Sequence, residues 1–125
     1  MKRVLIIAAA GFLFNSAQAQ DDAEEYQVVL PPDAQKCVLP ASPDKIADDA
    51  SYDQLKEAKA QIATFQVEVE VFRECLHAAE DNPENTEGNK QAIISSFNYS
   101  VDMEERIAER FNVAIRSYKE RQANQ

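Results

Sequence analysis

Glycine is nearly missing from this chain of 125 residues: there are two, and Gly88 is the one that lies beyond the N-terminal apolar run. Phosphate-cradling loops, dinucleotide fingerprints and nucleophile elbows each need several glycines at fixed spacing, so none of them can be built. There is one histidine, His77, and two cysteines, Cys37 and Cys75, with no CxxC pair. Di-metal helical bundles take ligands from repeated Glu-x-x-His pairs; Glu74-x-x-His77 occurs without a second copy. No serine or threonine has a base within reach of a recognisable triad pattern, and no cofactor is expected. No stretch approaches the ~20 apolar residues needed to span a bilayer. Positive charge is also scarce. The formal net charge is −9, and residues 21–87 hold seventeen acids against five bases. Phosphate backbones and anionic lipid surfaces repel such a chain, which disfavours nucleic-acid and membrane-surface roles.

What is present begins with an export pattern. Met1-Lys2-Arg3 is a short cationic start, Val4–Phe14 an apolar run, and Ala17-Gln18-Ala19 a small-x-small cleavage signature. These are the ordered parts of a secretory signal peptide over residues 1–19, and cleavage after Ala19 would release a chain with no stable membrane anchor into a periplasm or the medium. Loss of Lys2 and Arg3 takes the charge from −9 to −11. In an oxidising compartment Cys37 and Cys75 read as one disulfide, whose loop closure is worth about 4 kcal/mol in the chain-entropy picture. Free thiols and an intermolecular bond are the alternatives.

Residues 20–50 hold four of the five prolines, Pro31, Pro32, Pro40 and Pro43, and read as an extended arm with apolar clusters to bury. Ser51 with Gln54 forms a capping box that opens a helix over about 52–80. Its heptad is uninterrupted: Leu55, Ile62, Val69 and Leu76 in one column, Ala58, Phe65, Phe72 and Ala79 in the other. Residues 65–71 also alternate like a half-buried strand, but the heptad continues on both sides of them, so helix is expected. Ala60, Ala63, Val67, Val71 and Cys75 form a second apolar stripe, expected to receive the arm. Asp81–Asn85 is a turn. A second helix is expected over about 89–121, its seam running through Ile94, Phe97, Val101, Glu104, Ala108, Phe111, Ile115 and Tyr118 and widened by Ile93, Ile107 and Ala114, with Asp102–Arg106 and Arg116–Glu120 as i, i+4 pairs. Residues 122–125 are left as a tail. The expected fold is therefore all-α: an antiparallel, coiled-coil-like two-helix hairpin with a disulfide-tethered arm.

Catalysis is not expected, since the carboxylates of such a hairpin face no cleft. The function read from the residues is that of an exported, non-catalytic binding protein, a cell-envelope adaptor, chaperone-like or assembly factor. An acidic inhibitor or immunity-type protein of a basic secreted enzyme is the alternative, and a metal-dependent enzyme a distant one. Glu68, Glu70 and Glu74 are the candidate partner-binding residues, for a basic protein partner. Glu104 stands out as a carboxylate on an apolar seam, either pairing with a basic residue and setting register or acting as an acid or metal ligand. A homodimer is possible through a wide apolar face including Ile93, Phe97, Ile107, Phe111 and Ala114.

Overall fold

The computed structural model describes residues 27–125, so the expected signal peptide and the first residues of the arm lie outside the described residues. The described residues form three helices and no strand: α1 (Pro32–Gln35), α2 (Tyr52–Glu80) and α3 (Glu87–Ala123). α2 and α3 pack along each other as the expected hairpin. Ser51 caps α2 reciprocally with Gln54: the Gln54 amide donates to Ser51 Oγ and the Ser51 amide to Gln54 Oε1. The heptad then decides the packing. Leu55, Phe65, Val69, Phe72, Leu76 and Ala79 are all buried, and residues 65–71 are helical throughout. Burying side chains of this size stabilises by roughly 1.5–3 kcal/mol each, far more than the few tenths by which β-branched valine disfavours a helix.

α3 begins two residues earlier than the sequence pattern indicates and runs two residues further. Thr86 is its N-cap, and Asn89 plays the part that Glu or Gln plays in the usual capping box. Of the wide seam expected on α3, the fold buries the edge through Ile93 and Ile107 rather than the column through Ile94 and Ala108. The buried residues are Gly88, Ala92, Ile93, Ser100 and Ile107, whereas Ile94 is 46% exposed and Ala108 is exposed. An apolar count favours the column Ile94, Val101, Ala108, Ile115; the fold buries the column that contains a serine. Two ion pairs differ as well: Arg116 reaches Glu109 at 3.1 Å rather than Glu120, and Arg106 donates to the backbone carbonyl of Asp102. Of the face expected to support self-association, Ile93 and Ile107 are buried in the chain's own core, whereas Phe97, Phe111 and Ala114 are half-buried.

The arm lies across the hairpin from end to end. Its single helical turn, α1, starts at Pro32, where a fixed φ suits a first helical position. α1 presses Ala34, with Leu30, Cys37 and Leu39, onto Phe72, Leu76, Ala79 and Ile93. The Cys37–Cys75 disulfide is formed, with Cα atoms 5.6 Å apart. Asn82 at the turn donates to Asp33, and with Lys36 it holds the Asp33 carboxyl below its ordinary value. Farther along, the Asp44 amide donates to Gln61. Arg121 near the end of α3 then donates to the carbonyls of Asp48 and Ala50 at 2.6 and 2.7 Å. The described part of the arm, residues 27–50, therefore does not cover the stripe expected to receive it. It touches α2 at the Cys75 end of that stripe and otherwise follows the flank of the core, where larger apolar side chains offer more area; Val67 and Val71 stay exposed.

Gly88 is where the arm meets α3. The Asn89 side chain donates to the Val29 carbonyl at 2.7 Å, and a Cβ on Gly88 would collide with the Gln27 backbone carbonyl. Gly88→Ala should improve helix propensity by up to ~1 kcal/mol. It should lose more by evicting residues 27–29, for a net destabilisation of about 1 kcal/mol. Urea unfolding together with amide exchange at Val29 and Leu30 tests this; a stabilised variant with unchanged exchange would contradict the close approach.

Candidate protein-binding face

Glu68, Glu70 and Glu74 all sit on the exposed surface of α2. Helix geometry separates them: Glu70 and Glu74 fall on one side of the line through Val67 and Val71, and Glu68 on the other. Val67 and Val71 themselves are 67% and 61% exposed, one turn apart, and point away from Phe65, Val69 and Phe72. The face is thus a small apolar strip with carboxylates along both edges. Glu70 is braced at its base by Arg73, 3.0 Å away. At the end of the strip Cys75 is half-buried and bonded to Cys37, which fixes the arm beside α2.

Glu104 faces inward and finds a partner that sequence spacing did not show. Arg73 Nη2 donates to Glu104 Oε2 at 2.8 Å and Arg73 Nε to Ser100 Oγ at 2.9 Å, while Ser100 donates to the Phe97 carbonyl at 2.6 Å. The Arg73 side chain is 11% exposed and that of Glu104 29%; Ser100 is fully buried. No buried side-chain nitrogen or oxygen among the described residues lacks a partner. The geometry of the cluster is that of a closed ion pair between helices. A clue to it was available: Arg73 is the one Lys or Arg between Lys59 and Lys90, and an isolated cation in an acidic helix, beside a seam holding Ser100 and Glu104, has few other partners.

His77 is exposed, packs its ring 5.2 Å from that of Phe97 and lies 3.5 Å from Glu80. Among the described residues no three His, Cys, Asp or Glu side chains are grouped closely enough to hold a metal ion. No described helix is long and apolar enough to cross a membrane. A shallow groove of about 520 Å³ runs between Ile46–Asp48 of the arm and Arg110–Ala114 of α3. No family model, curated protein or solved structure matches the chain.

Proposed function

We propose that this is a non-catalytic binding protein of an oxidising, extracytoplasmic compartment, an adaptor or assembly factor that holds a basic protein partner on the outer face of α2. The observation that carries this reading is the pair Val67 and Val71, exposed between Glu68, Glu70 and Glu74 with nothing from the chain's own described residues over them. The export pattern at Met1–Ala19 and the Cys37–Cys75 disulfide support the compartment. Exposed apolar side chains supply the area for contact, and the carboxylates steer encounter with a positive surface.

A photo-crosslinking residue at position 67, introduced in the native host, should trap one discrete basic protein, and the same residue at Asn112 of α3 should not. Association with that protein should slow severalfold between low and physiological salt, chiefly in the on-rate, because the Debye length falls to ~8 Å. Glu68→Lys, Glu70→Lys and Glu74→Lys together should slow it further with helix content unchanged. No crosslink from any exposed position of α2 would overturn the reading. A salt-indifferent crosslinked complex would remove its electrostatic part.

A further inference from the structure

The exposed side of α2 carries a second line of residues at helix-pairing spacing, apart from the one packed against α3. Ala60, Thr64, Val67, Val71, Glu74 and Ala78 are all exposed and follow one another at alternating steps of four and three residues. That alternation is the period by which one helix packs along another. The line is about 27 Å long, with its apolar pair Val67 and Val71 at the centre, an alanine at each end where a neighbouring backbone can approach closely, and one charged position, Glu74. Val38, 79% exposed, is held beside its last turn because Cys37 is bonded to Cys75, which neighbours both Val71 and Ala78 on the helix surface.

Charge decides what fits. Glu68 and Glu70 occupy the positions flanking Val67 and Val71 on either side. A second copy aligned in parallel would stack Glu74 on Glu74 inside the seam. A copy aligned antiparallel, with Val67 against Val71, would oppose Glu68 to Glu68 and Glu70 to Glu70. Both alignments set like charges against each other. On the reading that this face binds a basic protein, we infer that the occupant is an α-helix of that protein, amphipathic, with small or branched apolar residues on its seam and Lys or Arg on both flanks.

The probe is a synthetic 21-residue helix with Val and Ala at seam positions and Lys at the flanks. One control carries Glu at the flanks, and another has the same composition with a scrambled seam. Anisotropy with the full oxidised chain should show the Lys-flanked helix binding at least tenfold more tightly than either control. Val67→Asp with Val71→Asp should remove at least tenfold of that affinity, and Glu68→Lys with Glu70→Lys and Glu74→Lys should invert the preference between Lys and Glu flanks. Equal binding of the scrambled peptide, or affinity indifferent to Val67→Asp and Val71→Asp, overturns the inference. So does a dimer seen in light scattering and dissolved by those same two substitutions, since a second copy would then occupy the seam. A native crosslink at position 67 with no binding of the Lys-flanked helix would overturn the helical partner and leave the binding function standing; helix binding without a crosslinked native protein would overturn the binding function and leave only the preference of this face for a basic helix.

Discussion

Replacing Cys37 and Cys75 together by alanine should lower the unfolding free energy by about 4 kcal/mol, a large fraction of what a domain of this size has. The bond spans a sequence separation of 38 residues, and the denatured chain regains the freedom of that whole loop when it is cut. The native arm should stay largely in place. Ala34, Leu30 and Leu39 still pack on Phe72 and Leu76, and Arg121 still binds the Asp48 and Ala50 carbonyls. The signature is therefore a fall in urea midpoint with a modest rise in m as the denatured state expands, while helical circular dichroism before the transition is unchanged. Proteolysis between Val38 and Ile46 should quicken, because the arm then opens against packing alone. A loss below about 1 kcal/mol would mean that the denatured chain keeps the arm near α2 without the bond.

The features legible in advance are those in which a local rule and a periodic pattern agree. The Ser51–Gln54 capping box and the uninterrupted heptad of α2 placed that helix to the residue, and the even cysteine count placed the disulfide. The misses occur where two apolar patterns compete. On α2 the second stripe looked like a landing site for the arm, but the arm follows the flank of the hairpin where Phe72, Leu76 and Ile93 present more area. On α3 the sequence pattern admits both adjacent columns, and apolar count cannot register a serine that becomes valuable once an arginine from the other helix reaches it. The candidate face was half legible: the exposed acids were named, whereas Val67 and Val71 were expected to be covered and instead complete it.

Arg73→Met alone should destabilise the protein by about 2–3 kcal/mol. It leaves Glu104 without its cation and Ser100 without the donor it accepts from, and the partial exposure of Glu104 keeps the loss below that of a fully buried broken pair. Glu104→Gln should cost only about 1 kcal/mol, because a glutamine oxygen still accepts from Arg73 and Glu70 remains on the other side of the guanidinium. Removing the whole cluster is a different experiment. Arg73→Met with Ser100→Ala and Glu104→Leu replaces polar and ionic groups by apolar ones of similar volume, and stability should return to within ~1 kcal/mol of the original or exceed it. What should not return is a single rotation of α3. With the Ser100 hydroxyl gone, the column through Ile93, position 100, Ile107 and Ala114 becomes almost as apolar as the column Ile94, Val101, Ala108, Ile115. Nothing polar then remains to reward the first. On this account the Arg73–Ser100 hydrogen bond makes the column with the serine the lower in energy, as buried polar groups set register in other helical pairs, and that is what the triple variant tests. The triple variant should therefore show doubled or broadened amide resonances for residues 93–115 at undiminished helix content. One sharp set of resonances at the native shifts would show that packing of Phe65, Val69 and Ile107 alone orients the helix, and the cluster would then be a cost the fold tolerates rather than the device that selects it.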